Sequence, residues 1–166
     1  MTDKENRLLA LRRAGSEDCR LYYEWSQDPS VRANSYGGSP FPFEAHERWF
    51  AQKLLDAGTL LYVLESGAVP AGQIRYEIRD SDAEINFSIA REFRSRGLGK
   101  EILMRGERRL LADRPDVGMI HGYVLAENEP SRRAFLGAGY NDAGEELVNG
   151  RCSIKFVRLV RITGKP

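Results

Sequence analysis

Cysteine is scarce in this chain: Cys19 and Cys152 are the only two among 166 residues. Two distant thiols make neither a disulfide framework nor a zinc ligand set, so a metal-free protein of a reducing, cytoplasmic compartment is expected. An excess of charge of one sign is also lacking. The formal net charge is +1 and the arginines are spread without a basic block. Bulk charge therefore gives no handle for nucleic acid or an anionic membrane. Long apolar runs are missing: the densest, Leu60 to Leu64, ends at Glu65, far short of a membrane span. The opening residues 1–7 are polar and are not expected to act as a signal peptide. No internal repeat or low-complexity stretch interrupts the chain.

What is present fits one soluble domain over residues 1–166, with 42% hydrophobic and 30% charged residues and frayed ends at 1–6 and 162–166. Residues 7–12 read as a first strand. Ser16, followed by Glu17 and Asp18, reads as a helix N-cap, and the helix carrying Leu21, Tyr22 and Trp25 stops before Pro29. Residues 30–42 form a loop, and a second helix runs over 43–56 with Trp49, Phe50, Leu54 and Leu55 at helical spacing before Gly58. The period then becomes two. Strands are expected over 59–65, 69–79 and 83–90, joined by short turns as an antiparallel meander. A helix over 98–112 buries Leu98, Ile102, Leu103, Gly106 and Leu110. A strand over 119–125 and a helix over 130–136 follow. A hairpin from Tyr140 turns at Asn149-Gly150, a type I′ signal, into a last strand over 152–162. The class is a mixed α/β, or α+β, fold of order β-α-α-β-β-β-α-β-α-β-β.

The run Arg94-Ser95-Arg96-Gly97-Leu98-Gly99-Lys100 lies between a strand and a helix. Its glycines let consecutive backbone N–H groups face outward at a helix start, with three cations around them, which suits a pyrophosphate. No Gly-Lys-Ser/Thr follows, so it is not a nucleoside-triphosphate loop. The third glycine is missing and the preceding strands are antiparallel, so it is not the dinucleotide fingerprint.

With Val124-x-x-x-Asn128, Asn128-x-x-Ser131 and Gly139-Tyr140, this pattern resembles the GNAT superfamily of acetyl-CoA-dependent N-acetyltransferases, in element order over nearly the whole chain. The resemblance implies a GNAT-like fold with a mostly antiparallel central sheet and acetyl-CoA as co-substrate. It puts the CoA pyrophosphate on Arg94 to Lys100, and the pantetheine beside Asn128, Ser131 and Phe135. The strand edge at Phe87, Ser88 and Ile89 would pair with pantetheine amides, and the N–H near Ile89 would be the oxyanion donor. A base must remove the proton of an ammonium before attack. Glu84 is the leading candidate, His121 on the adjacent strand the second and Glu127 the third; a solvated Glu84 and a packed His121 are the plain structural alternatives. Many family members carry a Tyr acid seven residues after the Asn, where this chain has Phe135; Tyr140 or water would have to replace it.

The first third of the chain usually shapes the acceptor site in such proteins. Trp25-x-x-Asp28-x-x-Val31-Arg32 and His46-x-x-Trp49-Phe50 resemble a subgroup that acetylates a UDP-linked amino sugar on the route to pseudaminic acid. Arg32 and His46 would pair with a nucleotide diphosphate, and Tyr36 and Trp49 would stack on sugar or base. Trp-x-x-Asp-Pro-x-Val also occurs in members that acetylate ribosomal-protein N-termini. A protein N-terminus or another small amine is therefore the alternative acceptor, and a non-catalytic acetyl-CoA-binding module the alternative function. Homodimers are common among proteins of this resemblance.

Overall fold

A computed structural model describes residues 8–37 and 40–160. Residue 7 of the expected first strand, residues 161–162 of the last, residues 38–39 of the loop and the expected frayed ends lie outside them. Seven strands form one sheet: β1 (Leu9–Arg13), β2 (Thr59–Ser66), β3 (Val69–Arg79), β4 (Asp82–Ile89), β5 (Met119–Leu125), β6 (Asn141–Val148) and β7 (Arg151–Leu159). Their order is β1-β2-β3-β4-β5-β7-β6, and every neighbouring pair is antiparallel except β4 with β5. The β6–β7 turn has positive φ at Asn149 (49°) and Gly150 (77°), the geometry of a type I′ turn.

The helices are α1 (Cys19–Gln27), α2 (Pro29–Ala33), α3 (Phe43–Leu55), α4 (Leu98–Asp113) and α5 (Glu129–Gly137). Three helices thus precede β2, where the sequence reading had two. Pro29 does end α1, as it cannot continue a helix, but it also opens α2. Proline suits a first helical position, and Asp28 caps it by accepting from the N–H groups of Ser30 (2.9 Å) and Val31 (3.3 Å). Ser16 is not the cap of α1. Residues Ser16–Asp18 form a single 3-10 turn, and the organising acid is buried Asp18. Its carboxylate accepts from the Gly15 N–H (2.8 Å) and takes both arms of Arg12 (2.7 and 2.8 Å).

Period-two burial gives the sheet two faces. One carries Tyr62, Leu64, Ile74, Tyr76, Ile85, Ile120 and Phe156, closed by Leu98, Ile102, Leu103 and Leu110 of α4 and by Phe135 of α5. All five residues expected on the inner side of α4 are buried. On the opposite face Leu61 and Val63 of β2 meet Tyr22 of α1 and Phe50 of α3. Leu55, at helical spacing on α3, points to solvent instead. Over β3 and β4 this second face is polar, with Gln73, Arg75 and Glu77 on β3 and Asp82, Glu84, Asn86 and Ser88 on β4. The candidate site lies on that polar face.

Candidate active site

The sheet is open at one place. β4 and β5 pair in parallel at Asp82–Met119, Ala83–Ile120 and Glu84–His121, and their ladder ends there, although β4 runs five residues further. Ala90 donates its N–H to Ala71 O (2.9 Å), and β4 meets β3 without a bulge. Even-numbered residues of β4 therefore bond to β3, and odd-numbered ones turn N–H and C=O toward β5. Along the opening, Phe87 and Ile89 face the gap. Ser88 does not: its backbone belongs to Gln73, and it contributes only a hydroxyl on the polar face.

At the mouth of this wedge the chain makes the turn Arg91–Phe93 and then residues 94–97 before α4 begins. Ser95 (φ 62°) and Gly97 (φ 77°) are left-handed, and α4 starts with no side-chain cap. Among the described residues, none accepts from the backbone N–H groups of 95–100. A helix start with free donors and a positive dipole end is an anion site. A Cβ on Gly97 would meet nothing within 4 Å, so the space in front of the loop is open, whereas one on Gly99 would stand 3.1 Å from the Ala134 Cβ of α5. Gly97 thus permits close approach of a ligand, and Gly99 permits close packing of two helices.

Arg94, in the motif, is held by contacts within the protein. Its guanidinium donates to Ile89 O (3.0 Å) and to the Ser30 hydroxyl (2.6 Å), and it pairs with Asp28 (3.2 Å). It straps the loop to the start of α2. Burial pushes the Asp28 carboxyl up, but the Ser30 hydroxyl and N–H, the Val31 N–H and Arg94 outweigh it and hold it at about 2. Arg96 donates to Glu92 O (2.8 Å) and lies over the Phe93 ring. The aliphatic stem of Lys100 runs beside Gly137.

On the other flank, Asn128 caps α5: its side-chain oxygen accepts from the Ser131 N–H (3.3 Å). Phe135 is core, 2% exposed, stacked on Phe156 and edge-on to Phe87 and Tyr140. Gly122 makes room for it, since a Cβ there would stand 2.6 Å from the Phe135 ring. The Phe135 side chain floors the wedge rather than offering a polar contact. Tyr140 is no surrogate acid. Its hydroxyl is buried in the same core without a partner, and burial raises it.

At the apex of the wedge stand three titratable groups. His121 Nδ1 lies 2.8 Å from Asp82 Oδ1, and Nε2 lies 3.7 Å from Glu84 Oε2. The parallel register brings them together, because Glu84 and His121 are partners and Asp82 sits two residues back on the same face. His121 is held above the ordinary imidazole value by Glu84 first and by Asp82 next, against its burial. Glu84 is held below the usual carboxylate value, mainly by His121, against its own burial. Both leading base candidates thus belong to one cluster. Asp82 went unnoticed in the sequence because Asp80-Ser81-Asp82 reads as a turn; only pairing with β5 reveals it. Glu127, the third candidate, is exposed and bound to Arg151 (2.9 Å).

The four residues expected at the acceptor do not converge. His46 is buried, with Nε2 3.1 Å from Cys19 O and its ring among Phe41, Trp49 and Phe50. It locks α3 to α1, burial lowers it, and it is closed to a diphosphate. Trp49 packs on the second core and lies under the Arg75 guanidinium (5.2 Å). Arg32 donates to Gln27 (3.3 Å), and Tyr36 donates to the Ser153 hydroxyl (2.7 Å) over β7. The groove beside the wedge is a cavity of about 430 Å³ whose lining includes Trp25, Asp28, Val31, Ile89 and Arg94.

Residues 8–141 match the family model described as the Acetyltransferase (GNAT) domain. Solved structures share the fold. A spermidine N-acetyltransferase from Vibrio cholerae, in complex with CoA and spermine, has a TM-score of 0.83 at 18% identity, covering 92% of this chain and 96% of that one. AAC(6')-Ib, in complex with ribostamycin and coenzyme A, gives 0.79 at 17%, covering 91% and 93%. RimL, a ribosomal L7/L12 alpha-N-protein acetyltransferase in complex with coenzyme A, gives 0.79 at 14%, covering 92% and 94%. No curated protein matches the sequence. A sheet parted between β4 and β5, an uncapped helix start at its mouth and the family match over most of the chain lead to one assignment: the chain belongs to the GNAT acetyltransferase family, with acetyl-CoA as its co-substrate.

Proposed function

We propose that this enzyme acetylates a small primary amine that enters the wedge from the polar face of the sheet. The observation that carries the reading is the end of the β4–β5 ladder directly after Glu84 and His121. It leaves the N–H groups of Phe87 and Ile89 between an anion-binding helix start and an acid–imidazole cluster. The other face is closed by Phe87, Phe135 and Phe156, so the amine has one side from which to come.

Bound acetyl-CoA supplies a thioester whose carbonyl carbon accepts the amine. The N–H groups of residues 95–100 hold its pyrophosphate, and the Phe87 and Ile89 backbones take its amide arm as an added strand. The Ile89 N–H is the donor for charge developing on the carbonyl oxygen. Asp82 fixes the proton of neutral His121 on Nδ1, which leaves Nε2 to take the proton of the amine. Glu84, more than half exposed, steadies the imidazolium and opens a path for the proton to solvent. Five residues of extended chain, about 17 Å, separate Glu84 from Ile89, so the proton passes from the amine to the apex along a chain of waters. A free thiol has a pKa of about 8.5, so the thiolate leaves at neutral pH without a tyrosine acid.

The charges favour an amine on a neutral or cationic carrier. Asp82 and Glu84 stand at the apex, whereas the nearest cation on β3, Arg75, is taken up by Glu77 (3.1 Å) and Trp49. A nucleotide-linked amino sugar would need His46 for its diphosphate, and that imidazole is enclosed. Release of CoA should be followed with spermidine, ribostamycin, a peptide with a free N-terminus and a UDP-linked 4-amino sugar. Turnover of spermidine or ribostamycin is expected. Turnover of the UDP sugar alone would restore the sugar-nucleotide acceptor, and tight acetyl-CoA binding with no transfer to any of them would refute catalysis.

A further inference from the structure

Gln73 is a buried polar residue that the wedge chemistry leaves unexplained. It lies on β3, between Val63 of β2 and Ser88 of β4 in the ladder, and is 8% exposed. Its Nε2 reaches Ser88 Oγ (3.3 Å) and Asn86 Oδ1 (3.4 Å), but Oε1 is buried with no hydrogen-bond partner. A buried carbonyl oxygen without a donor destabilises the fold, and native proteins keep few of them. An aliphatic side chain would suit a site beside Val63 better. The position also matters. Ser88 separates Phe87 from Ile89, so Gln73 stands one strand away from the two backbones that face the wedge, on the polar side left open to the amine.

We propose that Gln73 Oε1, covered in the free protein, is uncovered when the acceptor amine binds and receives its N–H over the wedge, with Asn86 and Ser88 fixing the orientation of the amide. Gln73 is thus a binding residue that determines acceptor specificity. It selects a ligand able to donate at this point, a primary amine with an accessible N–H, and leaves the pyrophosphate loop untouched. This proposal rests on the acetyltransfer reading given above.

The test measures steady-state kinetics with spermidine and ribostamycin, CoA affinity and thermal stability for the wild type, Gln73→Leu and Gln73→Glu. For Gln73→Leu, KM for the amine should rise about tenfold, the equivalent of one hydrogen bond. The acetyl-CoA KM and CoA Kd should not change, and Tm should equal or exceed that of the wild type, since an unpartnered oxygen has been removed. Gln73→Glu presents only acceptor oxygens and should bring the amine KM back to within about threefold of the wild type. An unchanged amine KM in Gln73→Leu would overturn the proposal. So would a lower Tm without a change in amine KM, the mark of a structural hydrogen bond, or a Gln73→Glu variant as impaired as Gln73→Leu, which would make the amide N–H₂ the working half. If the wild type acetylates no amine, the acetyltransfer reading falls first. If it does and the variants match it, only the role of Gln73 falls.

Discussion

Replacing Gly97 by valine separates stability from cofactor binding. Gly97 has φ 77° and nothing within 4 Å of the place its Cβ would occupy. The added side chain therefore clashes with no protein atom, and the folded state suffers only the left-handed backbone, about 2 kcal/mol for a β-branched residue. For a chain of this length that lowers Tm by about 4–8 °C. The pyrophosphate, by contrast, needs that space. Losing two charge-assisted bonds to backbone N–H groups removes about 3–6 kcal/mol of binding, about a hundred- to ten-thousandfold in the Kd for CoA. Gly67 provides the control. It has φ 59°, the same empty surroundings and a place in the β2–β3 turn, outside the wedge. Gly67→Val should lose similar stability and keep CoA affinity. Calorimetric titration with CoA and thermal melts of both variants decide the matter. If Gly97→Val binds CoA within about threefold of the wild type, the pyrophosphate does not sit on this loop.

The remaining expectations concern the apex and its floor. Glu84→Gln removes the main influence that raises His121, so the acidic limb of the kcat/KM profile should move to lower pH; a limb that stays in place would relieve His121 of the role of base. NMR titration should find His121 titrating above about 6.5 and His46 below it, since burial lowers the latter. The raised His121 stabilises the fold fully below its unfolded pKa of about 6.5, and that contribution fades as pH rises through the higher folded value. Asp82→Asn should therefore flatten stability against pH above about 6.5, as read by urea denaturation at a series of pH values. Gly122→Ala should cost about 1–3 kcal/mol in urea denaturation, because its Cβ would stand 2.6 Å from the Phe135 ring in a packed core.

Local chemistry made much of the molecule legible in the sequence. The 3.6-residue spacing of Leu98, Ile102, Leu103, Gly106 and Leu110 gave the inner face of α4, and Met119 to Leu125 gave β5 to the residue. Asn149-Gly150 announced its turn, and Gly97-x-Gly99 its uncapped helix start, since each depends on backbone freedom within a few residues. What failed was long-range or balanced between two local options. Pro29 was read as a stop and not also as a start. His46 reads as a ligand of a phosphate, because along the chain an imidazole enclosed and spent on Cys19 O cannot be told from an available one. Arg94 matched a motif while its guanidinium went to Ser30 and Asp28, 64 residues away in the first case.

The sequence by itself determined the elements, the family resemblance and the loop that suits a pyrophosphate, all consequences of local dihedral preference and apolar periodicity. The tertiary structure alone decided where β4 leaves β5, that Asp82, His121 and Glu84 meet at that point, and that Gln73 is buried with an unpartnered oxygen beside it. Strand register is the reason. The distance between residues on neighbouring strands is set by which pairs hydrogen-bond across the sheet, and no stretch of chain carries that information alone.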